Sequence, residues 1–291
     1  MLNGIVVKTY NSYYYIQSGS KIVTCNLRGR FKKERFSLLV GDEVIYTMTG
    51  PNKGVIEKIL PRRSMLKRPM VANVDQVVLT FAAVNPDIKP ALVDRFLVIA
   101  ELSELEIIMC INKTDLADAE TVTNLAQHYE LIGYRVLSIA AKTGMGIDNL
   151  RSLLHDKISV FAGPSGTGKS TILNAIQPGL ELTTGEVSHK IGRGKHTTRF
   201  AELLPLAGGG FVVDTPGFSF TEFTDINEAH LMHCFPEIAK VAPECKFSTC
   251  LHYKEPQCAV KQAVAAGRIH AARYQSYLEI LAEIRENKKG Y

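Results

Sequence analysis

No apolar run in this chain approaches the roughly 20 residues that a helix needs to cross a bilayer. The longest aliphatic stretches, such as Phe96–Ala100 (FLVIA), fall far short of it. The opening residues MLNGIVVKTYNSYYY also lack the basic, apolar and small-residue pattern of an export signal. These absences exclude a membrane-spanning protein and point to a soluble cytoplasmic one with no membrane among its partners. There is no internal repeat and no low-complexity tract. Cysteine is sparse over most of the length, where Cys25, Cys110 and Cys234 stand apart, which excludes a disulfide scaffold and leaves these three as small core residues. With 46% hydrophobic and 22% charged residues, 291 residues suffice for two or three packed domains.

Positive charge is unevenly spread. Residues 1 to 70 carry 13 Lys/Arg against 4 Asp/Glu, a net +9, so the total of +5 leaves −4 for the rest. A basic N-terminal segment suits a polyanionic partner. Residues 1–68 hold short β-branched and aromatic runs (GIVVKTY, SYYYIQS, KIVTCNL, GDEVIYTM, GVIEKIL) broken by Gly, Asn and Pro, which predicts a small five-stranded barrel of the oligonucleotide-binding kind. LRGRFKKERF, Leu27–Phe36, is a basic loop interleaved with aromatics where such barrels hold nucleic acid, so this domain is expected to bind RNA.

From about Asn73 strands alternate with amphipathic helices, which predicts a parallel, doubly wound α/β sheet over residues 69–222. KISVFA runs into GPSGTGKST, Gly163–Thr171, which fits G-x-x-x-x-G-K-[ST]. The backbone N–H groups of Gly163, Ser165, Gly166, Thr167 and Gly168 form the cradle for phosphates, and Pro164, which has no N–H, belongs to the loop that shapes it. Lys169 neutralises β/γ charge and is a candidate catalytic residue, Ser170 ligates magnesium, and Thr171 completes the nucleotide-binding set. DTPG, Asp214–Gly217, ends a strand, so that Asp214 holds magnesium through water and the Gly217 N–H senses a γ-phosphate. NKTD follows the strand EIIMCI: Asp115 accepts from guanine N1 and N2, Asn112 ties loops together, Lys113 lies along the base and Thr114 completes the loop. Adenine lacks the matching donors, which excludes an ATPase or kinase and makes GTP the substrate. AAK, Ala140–Lys142, fits a further guanine-facing loop. In GRGKHTTR, Gly192–Arg199, between the P-loop and DTPG, Thr197 or Thr198 is the expected magnesium and γ-phosphate ligand, with Thr197 placed in the nucleotide site and Thr198 assigned as the metal and catalytic residue. Phe218 stands where many GTPases place a water-orienting Gln, so His196 is the candidate for that task.

The base-reading motif precedes the phosphate loop, the reverse of the ordinary GTPase order, and this is a circular permutation. Residues 223–291 are expected to form a helical domain around Cys245, Cys250, His252 and Cys258, a Cys₃His set suited to one structural tetrahedral zinc. His189, His233 and His270 are given no role. With NKTD, GPSGTGKST, GRGKHTTR, DTPGF, CKFSTCLHYKEPQCAV and the basic barrel, the whole chain resembles the circularly permuted ribosome small-subunit-dependent GTPases, the RsgA family. The resemblance implies a monomer that uses GTP, Mg²⁺ and one Zn²⁺. It also implies binding to the small ribosomal subunit and its rRNA late in subunit maturation, subunit-stimulated hydrolysis, zinc at the Cys₃His positions and a hydrolytic role for His196. A binding module whose slow hydrolysis is incidental is the competing reading.

Overall fold

The computed structural model describes residues 1–28, 38–67, 69–180, 201–214 and 226–289. They gather into two compact units, neither of which is a continuous stretch of chain.

The first unit comprises Met1–Val78, Gly144–Ala162 and Lys169–Phe218. It begins with five strands, β1 (Leu2–Tyr10), β2 (Tyr13–Ser18), β3 (Lys21–Leu27), β4 (Glu43–Gly50) and β5 (Lys53–Ile59), closed into a barrel in the order β1-β2-β3-β5-β4. Four pairings are antiparallel, and β3 runs parallel to β5. Asn11 and Ser12, both at positive φ, make the tight β1–β2 turn that matches strand twist. Period-two alternation sends Val6, Ile16, Val23, Cys25, Val44, Tyr46 and Ile56 inward to a sealed core. Each fully buried aliphatic contributes about 1.5–3 kcal/mol. Gly54 is required by crowding, since a Cβ there would lie 2.9 Å from Cys25 Sγ. The buried Asp42 carboxylate accepts from Arg62 at 2.7 and 2.9 Å and from the Leu39 amide at 2.7 Å, so this buried charge is paired.

A short hairpin, β6 (Met65–Lys67) and β7 (Met70–Ala72), lies just past the barrel and carries no period long enough to be read from sequence. Then come β8 (Gln76–Ala82), β9 (Glu106–Asn112), β10 (Arg135–Ser138), β11 (Ile158–Ala162), β12 (Glu202–Pro205) and β13 (Phe211–Asp214), in the sheet order β10-β9-β8-β11-β13-β12. β10 is parallel to β9 and β11 to β13, whereas β12 pairs antiparallel with β13. The sheet is therefore mixed at this edge, because the AGGG connection is too short for a crossover. Every residue of β8 is buried, the pattern of a strand covered on both faces. Its Gln76 donates to Ser159 Oγ and to the Leu153 carbonyl at 2.9 Å each.

The second unit comprises Leu79–Thr143, Gly163–Gly168 and Ser219–Tyr291. Helix α1 (Pro90–Glu101) starts with proline in its first turn and buries Val93, Phe96, Leu97 and Ala100, a 3.6-residue stripe. In α2 (Ala119–Ile132) the Asp118 side chain caps the Thr121 amide at 2.9 Å, and Gly133 at φ 115° ends the helix. Helices α3 (Ile147–Leu154) and α4 (Lys169–Ile176) belong to the first unit, where Arg151 donates to the Ala175 and Ile176 carbonyls at the end of α4. The C-terminal helices are α5 (Glu228–Leu231), α6 (Pro236–Val241), α7 (Ala259–Ala265) and α8 (Ala271–Lys289). Their core joins Leu231, Phe235, Ile238, Val260, Tyr277, Leu281 and Ile284 to Val98 of α1.

Candidate nucleotide site and metal centre

The sheet order reverses between β8 and β11, since β9 lies on the far side of one and β13 on the far side of the other. Loops leaving the carboxyl ends of strands at such a switch point form the crevice where doubly wound sheets bind ligands. The loop after β11 is Gly163–Gly168 and the loop after β8 contains Asn85, both in the second unit. Gly163 has φ 137°, and a Cβ on it would overlap the Thr80 carbonyl; a Cβ on Gly168, at φ 92°, would overlap the Asn112 amide. Only glycine satisfies both the dihedral and the approach. Thr167, almost wholly buried, bonds from Oγ1 to the Pro164 carbonyl at 3.0 Å and closes the turn. Ser165 and Gly166 face solvent, and beyond the loop Lys169, Ser170 and Thr171 open α4, with Ser170 and Thr171 exposed.

NKTD begins on the last residue of β9. Buried Asn112 donates from Nδ2 to the Thr167 carbonyl at 2.9 Å and accepts at Oδ1 from the Ala141 amide at 3.2 Å. One side chain thus connects the P-loop, the base motif and the AAK loop. Lys113, at φ 61°, donates from Nζ to the Gly166 carbonyl at 2.8 Å and to the Asn85 carbonyl. Thr114 binds the Ile139 carbonyl through its amide at 3.2 Å and its hydroxyl at 3.0 Å. Asp115 follows in a 3₁₀ turn, exposed and without a hydrogen-bond partner among the described residues, so its carboxylate has acceptors to offer a base. Asp214 is the last residue of β13, whose neighbour β11 leads into the P-loop. His196, Thr197, Thr198, Gly217 and Phe218 lie outside the described residues, as do residues 29–36 of the basic loop.

The four residues Cys245, Cys250, His252 and Cys258 converge, with ligand atoms all within 4.8 Å of one another. His252 Nδ1 is 3.5 Å from the sulfurs of both Cys245 and Cys258, which are 3.9 Å apart. A tetrahedron with metal–sulfur distances of about 2.3 Å and metal–nitrogen of about 2.0 Å has edges of roughly 3.8 Å (S···S) and 3.5 Å (S···N), so the spacing fits a Cys₃His metal site. Nδ1 is the nitrogen turned toward the thiols, while Nε2 is buried with no partner. Burial pushes the Cys250 thiol up to about 12 and holds His252 below the usual imidazole range, so thiolates at buried Cys250 and Cys258 and half-buried Cys245 would need a cation among them. Local geometry explains the spacing: His252 takes φ 58°, which turns its ring back toward the cysteines, and the loop is pinned by Tyr277 Oη on the Leu251 carbonyl (2.9 Å) and Tyr274 Oη on the His252 carbonyl (2.6 Å).

Sequence reasoning missed the ion cluster behind this segment. Arg273, 1% exposed, donates to Glu237 at 2.7 and 3.1 Å and to Asp94 at 2.7 Å, and its guanidinium lies 4.6 Å from the centre of the Phe235 ring. These residues come from α8, α6 and α1, and no local pattern links positions 179 apart. The Asn85 loop was likewise missed, although NP after a buried strand is a turn signal.

The family model described as RsgA GTPase matches residues 59–224, and the one described as RsgA N-terminal domain matches residues 3–56. A relative from Moorella thermoacetica, "Small ribosomal subunit biogenesis GTPase RsgA", is 46% identical over 290 residues, covering 100% of both chains. One of the same description from Bacillus cereus (strain ATCC 10987 / NRS 248) is 45% identical over 294 residues at the same coverage. Among solved structures, YjeQ from Thermotoga maritima is 40% identical with a TM-score of 0.85, over 97% of this chain and 98% of that one. YloQ, titled a circularly permuted GTPase, is 40% identical with a TM-score of 0.84, over 98% and 96%.

Proposed function

The chain belongs to the RsgA family and is a GTP hydrolase, and on that premise we propose that it binds the small ribosomal subunit through rRNA and hydrolyses GTP during late subunit maturation, stimulated by the subunit. The observation that supports this most is Asn112, whose amide joins the P-loop to the two base-facing loops within one unit. In this proposal the amides of the Gly163–Gly168 loop hold the phosphates, Lys169 offsets their charge, and Asp115 accepts from guanine N1 and N2 while Lys113 braces the loops beneath the base. Ser170 and one of Thr197 and Thr198 would hold Mg²⁺, with Asp214 reaching it through water, and the ion would neutralise charge developing on the β- and γ-oxygens. His196 orients the attacking water in place of the absent Gln, and the Gly217 amide senses the γ-phosphate.

Cys245, Cys250, His252 and Cys258 would hold one Zn²⁺, whose closed shell of protein ligands supplies folding energy to the segment. We keep the division into an RNA-binding barrel (1–68), a permuted GTPase domain (69–222) and a zinc-binding helical domain (223–291) as part of the proposal, together with a cytoplasmic monomer. In the described residues no helix is long and apolar enough to cross a membrane.

The test is GTP turnover of the purified protein titrated with purified small subunits. Turnover should rise with subunit concentration and be insensitive to ATP. His196→Ala should retain GTP binding and lose most of the stimulated rate, a 10²-fold or larger effect being typical for a residue that positions or activates the nucleophile. Flat turnover across the titration would leave the binding-module reading in its place.

A further inference from the structure

Apolar surface in the C-terminal segment is almost entirely inside, with two exceptions. Among the described residues of 226–289, the only exposed large hydrophobic side chains are Phe247, 43% exposed, and Tyr253, 42% exposed. Both sit on the loop that carries the four metal ligands, Phe247 two residues after Cys245 and Tyr253 directly after His252. Both are dressed with cations. Lys246 Nζ is 5.7 Å from the Phe247 ring centre, and Tyr253 has Lys254 Nζ at 5.1 Å and the Arg285 guanidinium at 5.3 Å. Glu255, the acid of this loop, is turned inward to accept from the Leu251 and Tyr253 amides at 3.0 and 2.8 Å. It therefore holds the loop, and among the described residues neither Lys246 nor Lys254 has an ion-pair partner, whereas Arg285 is paired with Glu228 at 2.8 Å.

The loop is also rigid where it presents the rings. The Leu251 and His252 carbonyls are fixed by tyrosines of α8, the Tyr253 amide by Glu255, and the Phe247 carbonyl by the Cys250 amide at 3.1 Å. An exposed ring on an immobilised backbone loses little entropy when something flat covers it. Aromatic faces beside Lys and Arg are the chemistry that receives unpaired nucleic-acid bases, each base offering a π face and each phosphate a charge for the cations. Protein interfaces are depleted in lysine, so Lys246 and Lys254 beside the two rings favour a nucleic-acid partner over a protein one.

We infer that Phe247 and Tyr253 are stacking platforms for unpaired RNA bases, presented by the metal-ligand loop. This rests on the proposed rRNA-binding function and names the residues and the kind of RNA at one contact. The occupant is single-stranded or bulged RNA, because in a duplex the base faces are already stacked.

The experiment uses the full-length metal-loaded chain and measures affinity for a short unstructured RNA oligonucleotide, for the same sequence in a duplex, and for purified small subunits. Phe247→Ala and Tyr253→Ala are each expected to weaken single-strand binding by roughly 5- to 100-fold, with little change for the duplex. Phe247→Tyr and Tyr253→Phe should restore it, since the ring and not the hydroxyl does the stacking. Metal content and melting temperature, read on every variant, should match the parent. Unchanged single-strand affinity in both alanine variants overturns the inference. So does a loss that tracks lost metal or lowered melting temperature, and so does a loss confined to small subunits, which would make the rings a protein contact. If the parent chain fails to bind subunits yet its single-strand affinity depends on the rings, the proposed ribosomal function fails and the stacking assignment stands.

Discussion

Asp115 and Arg273 are opposite kinds of charged residue, one exposed with its hydrogen-bonding capacity open, the other sealed and paired with two carboxylates. For Asp115 the physics predicts a change of specificity: Asp115→Asn removes one acceptor for the guanine donors and adds an N–H. GTP affinity should drop and preference should move toward the xanthine nucleotide, whose extra carbonyl accepts that N–H. Competition binding with the two nucleotides reads this directly, and unchanged GTP affinity would remove Asp115 from the base site. For Arg273 the prediction concerns stability. Arg273→Met leaves Asp94 and Glu237 as buried carboxylates without their cation, which should cost about 3–5 kcal/mol. A urea unfolding curve would register it as a lower midpoint. Replacing all three residues by apolar ones of similar volume should recover most of that loss, because the unpaired charges go with the arginine.

At the scale of elements, α5 to α7 are short helices ahead of the 19-residue α8, and the longest loop among them is organised around Cys245, Cys250, His252 and Cys258. Helices of four to seven residues do not hold themselves by propensity alone. They depend on the core around Phe235 and Tyr277 and on whatever closes the Cys₃His set. Cys250→Ser, or treatment with a strong chelator, should therefore lower metal content and raise amide exchange through residues 226–289, while β8, β9 and β11 keep their protection. Mass-spectrometric hydrogen exchange with metal analysis distinguishes this from global unfolding. A fully protected, metal-free segment would show that the apolar core suffices.

At the scale of the whole molecule, the permuted order puts the strand ending in Asp214 immediately upstream of the C-terminal segment in the chain. A γ-phosphate sensed at Asp214–Gly217 has a covalent route to residues beyond 226. We expect small subunits to bind more tightly to the protein carrying a non-hydrolysable GTP analogue than to its GDP form. By linkage, subunits must then raise the analogue's affinity relative to GDP by the same factor. Without a Gln after DTPG, the isolated protein should turn over on the order of 10⁻⁴ to 10⁻³ per second. Affinity for subunits should also fall steeply with salt, chiefly through the basic residues of the barrel. Co-sedimentation at several salt concentrations in both nucleotide states checks the two binding expectations, and phosphate release by the isolated protein checks the rate.

What the sequence determined by itself is everything carried by local order: the barrel from period-two alternation in five short runs, the helices α1, α2 and α8, the P-loop, NKTD, and the set of three cysteines and one histidine that converges. These were legible because each depends on residues a few positions apart, whether a strand's two faces, a glycine that must take positive φ, or a donor set on one loop. Tertiary structure alone decided what those pieces touch. Asn112 reaches a carbonyl 55 positions away, Lys113 finds the Asn85 carbonyl on another loop, and Arg273 neutralises a carboxylate 179 positions back. The place of β13 and β12 beyond β11 in the sheet order was decided at the same level. The reason is that such contacts are set by where the sheet order reverses and by how the helices pack, and neither leaves a period or a spacing in the chain.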